Sequence, residues 1–204
     1  MSYCLPEGYV ERIGAPQSYD AGGDDTWQRE VYETALALAR VFGLRNVVDF
    51  GCGSGFKLVK NFSGPEFETI GIDLEPAVLL LRQRYPYCDW RVEDDYRQLP
   101  LTALSGADLV ICSDVIEHID EPDKLLGRLK LAHHAWFVIS TPDRKLLERY
   151  PKWGVKMGPP ANGCHVREWS FEEFRQYMDG HFEVLRHFIA NREQCTQVVI
   201  ARLK

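Results

Sequence analysis

The sequence is short of positive charge, has no ordered cysteine pattern and has no long apolar run. Its 204 residues carry 24 Lys and Arg against 30 Asp and Glu, a formal net charge of -6. That balance argues against wholesale binding of nucleic acid or of an anionic membrane, since both need a basic face. The six cysteines (Cys4, Cys52, Cys88, Cys112, Cys164, Cys195) include no CxxC pair and no metal-ligand spacing, so no metal centre is expected. Their strand-like, apolar neighbours predict buried free thiols in a reducing compartment. No apolar run approaches the ~20 residues of a membrane-spanning helix. The opening "MSYCLPEGYVERIG" has neither the basic start nor the apolar stretch of a signal peptide. A cytoplasmic location is the expectation. Internal repeats and low-complexity linkers are also missing.

What is present suits one domain with a sizeable core, at 45% hydrophobic and 26% charged residues. Residues 1–26 are polar and turn-rich and read as an arm over the cofactor site. Residues 27–204 read as a single domain. "WQREVYETALALARVF" has the three- and four-residue apolar spacing of a helix, which Gly43 ends. Short apolar runs then alternate with helices: "NVVDF", "ETIGIDL", "DWRV", "ADLVICS" and "AWFVIST". This alternation predicts a parallel sheet covered on both faces. Ser170 and Glu173 form a capping-box pattern before "FEEFRQYM". "FEVLRHFIA" and "TQVVIARL" follow too closely for a crossover, so they must pair antiparallel. The expected fold is α/β, a Rossmann-like doubly wound seven-stranded sheet of five parallel strands plus a C-terminal antiparallel hairpin.

The loop after the first strand, "DFGCGSGF", has glycines at Gly51, Gly53 and Gly55. A dinucleotide fingerprint would need a third glycine where Phe56 stands. Asp49 precedes the loop and would repel a pyrophosphate at the helix N-terminus, where anions otherwise sit well. It suits a cationic ligand instead. Asp73, at the end of the second strand, is placed to take ribose hydroxyls. The site asks for an adenosine-like ribose with a cationic extension.

On these residues the chain resembles class I S-adenosylmethionine-dependent methyltransferases. "VVDFGCGSG" is similar to that family's first motif, "GIDL" to its second, "EDDYRQLPL" to its third, and "ADLVICSDVIEHIDEPDKLL" to its fourth. The likeness runs from about Trp27 to Thr141. It implies S-adenosyl-L-methionine as cofactor, with S-adenosyl-L-homocysteine as product. Asp49, Gly51, Cys52 and Gly53 would hold the methionine part, Asp73 the ribose, and Leu74 would pack on the adenine. Asp94 or Asp95 would meet the adenine amino group, and the spacing to Leu99-Pro100 favours Asp95. Ser113 would lie near the sulfonium. Gln28, Trp27 and Tyr32 would contact the cofactor or pack the first helix.

Methyl transfer needs alignment and exclusion of water, and a hydroxyl acceptor also gains from a base. The candidates are Asp114, His118 and His165. Asp114 and His118 would share a helix face, with a capping box from Asp114 to Glu117 as the structural alternative. His165 belongs to "HVREWS" and ends a long insertion at about 142–169 that reads as a lid. The same segment resembles one found in sugar-modifying methyltransferases. Between Asp143 and Glu168 six basic residues face three acidic ones, which hints at an anionic or nucleotide-linked sugar as acceptor. The leading expectation is therefore methylation of a small molecule, at a hydroxyl of a saccharide or related product. Nucleic-acid or protein methylation, and cofactor binding without catalysis, are the alternatives. The fourth strand runs into "CSDV" rather than an Asn-Pro-Pro-Tyr motif.

Overall fold

Within each central strand, neighbouring residues point to opposite sides of the sheet, and this alternation organises the protein. The computed structural model describes residues 3–17, 22, 24, 26–93, 95–98 and 104–204. Seven strands lie in the order β3-β2-β1-β4-β5-β7-β6. They are β1 (Asn46–Phe50), β2 (Glu68–Asp73), β3 (Asp89–Val92), β4 (Leu109–Ser113), β5 (Trp136–Pro142), β6 (Glu183–Asn191) and β7 (Thr196–Arg202). The first five pair in parallel. β7 runs antiparallel to both β5 and β6. The expected sheet with its terminal hairpin is the one observed.

One face carries Val47, Leu109, Ile111, Val138 and Val198. They pack under α1 (Arg29–Phe42), α2 (Phe56–Phe62) and α3 (Glu75–Arg84). The other face carries Val48, Val110, Cys112, Phe137, Ile139 and Val199. It is covered by α4 (Pro122–Leu129) and α6 (Phe171–His181), through Leu125, Leu129, Phe174 and Met178. A short helix, α5 (Arg144–Leu147), follows β5. α1 buries Val31, Tyr32, Ala35 and Ala39 along one stripe and ends at Gly43, whose amide caps the Ala39 carbonyl. The Ser170–Glu173 capping box at the start of α6 is formed in both directions. All six cysteines are free thiols, with Cys52, Cys112 and Cys195 buried and the other three half-buried. No helix among the described residues is long and apolar enough to cross a membrane.

Two glycines are set by close approach rather than by a turn alone. The β2–β3 register places Trp90 opposite Gly71, and a Cβ at Gly71 would run into the Trp90 ring. Gly55, in the left-handed region at φ +66°, is crowded by the same ring and by Leu81. The indole is held by its Nε1 donating to the Tyr85 carbonyl at 2.8 Å. The Trp90 ring therefore wedges between sheet and glycine loop. Gly71→Ala should destabilise the protein by about 1–3 kcal/mol, read as a lower urea midpoint with an unchanged slope.

Candidate active site

A cavity of 910 Å³ opens at the C-terminal ends of the parallel strands, where β1 and β4 diverge. This is where open α/β sheets take their ligands. At one end lie the β1–α2 loop and the end of β2. Gly51, Gly53 and Gly55 all have positive φ, a conformation that only glycine adopts without strain. Asp73 Oδ2 accepts the Gly53 amide and Oδ1 the Leu74 amide, both at 2.7 Å. These two bonds tie the glycine loop to the end of β2 and fix the carboxylate at the cavity wall. Gly51, Cys52, Gly53, Asp73, Leu74, Asp95 and Ser113 all line the cavity. Asp94 lies outside the described residues.

Asp49 is placed differently from its neighbours. It is fully buried below the loop, with Oδ2 accepting the Tyr32 hydroxyl at 2.8 Å and Oδ1 without a hydrogen-bond partner. Burial pushes its carboxyl up to about 7, against lowering by the Tyr32 hydrogen bond and by Lys57. Tyr32 is buried in the core beneath α1 and also lines the cavity. Trp27 stays 59% exposed at the cavity mouth. Gln28, in a left-handed turn ahead of α1, donates from Nε2 to Asp114 Oδ2 at 3.1 Å.

The other end of the cavity follows β4. Asp114 has φ +51° and sits under β5, with Oδ1 accepting the Ser140 hydroxyl at 2.6 Å. The expected capping box does not form. Residues Ile116–His118 make a single 3-10 turn with no side-chain cap, so Asp114 and His118 share no helix face. Glu117 instead accepts from Thr141 Oγ1 at 3.0 Å through Oε2. Burial, and then Asp114 nearby, push the Glu117 carboxyl well up. Burial also raises Asp114, against hydrogen bonds from Ser140 and Gln28.

The segment carrying His165 returns across this turn. The Val166 amide donates to the Glu117 carbonyl at 2.8 Å. The His118 and His165 rings consequently meet edge to face, centroids 4.7 Å apart. His118 Nδ1 faces the Cys164 carbonyl at 2.9 Å, and His165 Nδ1 faces Glu168 Oε1 at 2.7 Å. Burial, followed by the neighbouring His165, lowers His118 to about 4. Glu117 and Glu168 had no functional place in the sequence reading. Glu117 meets Thr141 and Val166 from far along the chain, whereas Glu168 pairs with His165 only three residues away, a spacing that could have been read from the sequence.

Two of the six basic residues between Asp143 and Glu168 are buried, Arg144 and Arg167, while Lys145, Arg149, Lys152 and Lys156 are exposed. Arg144 is buried and forks onto Glu173 at 2.5 and 2.6 Å. Arg167, also buried, donates to the Ile119 and Asp120 carbonyls and pairs with Glu11. No Lys or Arg between 142 and 169 lines the cavity, whose charged side chains are mostly acidic, Asp73, Glu93, Asp95, Asp114, Glu117 and Glu168 among them, beside the cations Lys57 and Arg97. Arg144 and Arg167 are thus taken up in holding this segment to α6, to the turn after β4 and to the N-terminal residues. In the arm, Arg12 N–H bonds the Val166 carbonyl and the Tyr9 hydroxyl receives the Glu168 amide.

Glycine loop, ribose-height carboxylate and acidic cleft define a Rossmann-like protein built for an adenosine cofactor with a positive extension. The family model for the methyltransferase domain matches residues 20–186, and the chain belongs to that family. It is an S-adenosylmethionine-dependent methyltransferase. A curated relative, the ubiquinone biosynthesis O-methyltransferase of Glaesserella parasuis serovar 5 (strain SH0165), is 29% identical over 114 residues. The match takes in 51% of this chain and 48% of that protein, so the chain spans about half the length of the curated relative it matches. Among solved structures, the PH0226 protein from Pyrococcus horikoshii OT3 superposes with a TM-score of 0.70 at 18% identity, covering 91% of this chain and 94% of that one. Magnesium protoporphyrin IX methyltransferase from Synechocystis PCC 6803, with S-adenosylhomocysteine bound, gives 0.62 at 20% identity, covering 87% and 84%. The small RNA methyltransferase HEN1 gives 0.63 at 22% identity, covering 93% and 27%.

Asp49 gives a pH prediction free of any ligand. Its folded value, about 7, stands above the ordinary 3.8, so between these the native state holds a proton that the unfolded chain has lost. Stability must then fall as pH rises across that window, by up to ~1.4 kcal/mol per pH unit. Asp49→Asn keeps an acceptor for Tyr32 and should remove this slope. Denaturant melts of both proteins from pH 4 to 8 should diverge as pH rises, with the variant the more stable above pH 7.

Proposed function

We propose that this methyltransferase acts on a small organic molecule and methylates a hydroxyl oxygen, in a saccharide or related product. The observation that carries the reading is that one cavity joins the glycine loop and Asp73 to Asp114, Glu117, His118 and His165. The residues present fit the cofactor: the acids on the cavity wall suit a cation, and the buried Asp49 Oδ1 beneath the loop has no hydrogen-bond partner. When bound, S-adenosylmethionine supplies a methyl group on a sulfonium, already activated for displacement. The Gly51–Gly53 loop would seat its methionine part, Asp73 the ribose, Leu74 and Asp95 the adenine, with Ser113 and Gln28 between the two ends. Asp114, His118 and His165 would hold the acceptor oxygen. Lid and arm, bound together through Arg167 and Glu11, would keep water out.

The curated relative is named as an O-methyltransferase, which supports oxygen as the acceptor atom. An RNA acceptor is the second reading, favoured by the small RNA methyltransferase among the structural neighbours. The acidic cavity and net charge of -6 weigh against it, because phosphate contacts require cations. An anionic, nucleotide-linked sugar would have to draw on the exposed Lys145, Arg149, Lys152 and Lys156, since Arg144 and Arg167 are buried.

Calorimetry should give micromolar-range binding of S-adenosylmethionine, with Asp73→Ala weakening it about 10- to 100-fold. Labelled methyl transfer to a panel of small hydroxyl compounds and short RNAs then separates the readings. Label entering only the RNAs would overturn the small-molecule proposal.

A further inference from the structure

We propose that Glu117, His118 and His165 form a site for one divalent transition-metal ion, at the end of the cavity away from the glycine loop. The inference deepens the proposed function, since it assigns the means by which the acceptor oxygen is held.

The three residues each present a ligand atom, and these atoms lie within 4.8 Å of one another. An ion at ~2.0–2.2 Å from each requires only a small inward turn of the side chains. Glu117 provides an independent sign of a missing partner. It is completely buried, its Oε1 has no hydrogen-bond partner, and that oxygen lies 4.0 Å from His118 Nε2. A buried carboxylate oxygen left unpaired is costly, and a cation between it and the imidazoles would satisfy it.

Both histidines are oriented from behind. The Cys164 carbonyl holds His118 Nδ1 and the Glu168 carboxylate holds His165 Nδ1. A proton placed on each Nδ1 by these acceptors leaves Nε2 with its lone pair, the arrangement in which ligating histidines are held by outer carbonyls and carboxylates. The amide of Asn162, 3.0 Å from His165 Nε2, is the contact an ion would displace. Two imidazoles and one carboxylate select Mn²⁺, Co²⁺ or Zn²⁺ over Mg²⁺ or Ca²⁺, which favour all-oxygen sets. Three protein ligands leave coordination positions open toward the cavity. An acceptor hydroxyl taking one of them would be polarised there, and the substrate class becomes molecules that can ligate through oxygen. The sequence showed no metal-ligand spacing because the three ligands come together only when the lid crosses the turn after β4.

The test uses the whole chain, stripped with chelator and titrated with Co²⁺. One equivalent should bind and develop visible d–d absorption. His118→Ala and His165→Ala should each weaken binding at least tenfold, and Glu168→Gln, as a positioning change, about 10- to 100-fold. Should a histidine variant not fold, the wild type loaded with Mn²⁺ must show imidazole nitrogen couplings in pulsed paramagnetic resonance. No saturable Co²⁺ binding, wild-type affinity in both histidine variants, or Mn²⁺ without nitrogen couplings would overturn the site. Binding of S-adenosylmethionine is measured separately by calorimetry. Metal binding without cofactor binding would overturn the proposed function and leave the metal site standing.

Discussion

The hydrogen bond from the Val166 amide to the Glu117 carbonyl, 2.8 Å long, is the crossing on which the β4 end of the cavity depends. It lays the end of the lid against the turn after β4. The Arg12 amide bonds the Val166 carbonyl from the other side, and the Arg167 guanidinium grips the Ile119 and Asp120 carbonyls. Arm, lid and turn are therefore one construction, with His118 and His165 in edge contact at its centre. Trp169, fully buried beneath it, sends its Nε1 proton to the Tyr3 carbonyl. Moving any one of these segments would disturb the other two.

The strands and the glycine-loop end of the cavity were legible because their signals are local. Continuous apolar runs such as "VVDF" and "LVICS" are short and bounded by turn residues, and the parallel sheet follows from their alternation with helices. The close spacing of β6 and β7 left only antiparallel pairing. Glycines before α2 and an acid at the end of β2 likewise announce a ligand seat within one βαβ unit. The acceptor end was only half legible. Asp114, His118 and His165 could be picked out by type, but their relation could not. "SDVIEH" looks like a capped helix, yet Asp114 takes a left-handed conformation because its carboxylate is drawn down to Ser140 and Gln28. Tertiary hydrogen bonds to the neighbouring strand overrode the local capping preference.

Arg144 and Arg167 show how composition misleads when partners are unseen. Counting charges treats Arg144 and Arg167 as surface, although both are buried. One is neutralised by Glu173, and the other is taken up by backbone carbonyls and Glu11. The acids are distributed the other way. Asp73 at one end and Asp114, Glu117 and Glu168 at the other line the cavity. Negative potential is concentrated where a cationic cofactor and the proposed metal ion would both be received.

The order of strands has a consequence for synthesis. β7 inserts between β5 and β6, so the residues that complete the sheet are made after nearly everything they touch. Until Thr196–Arg202 has left the ribosome, β5 presents an unpaired edge along Phe137 to Pro142, and Val198 and Val199 are missing from the two cores. An open apolar edge is the feature that invites wrong pairing between chains. The nascent protein is thus most exposed to aggregation, and most in need of a chaperone, just before its last strand appears.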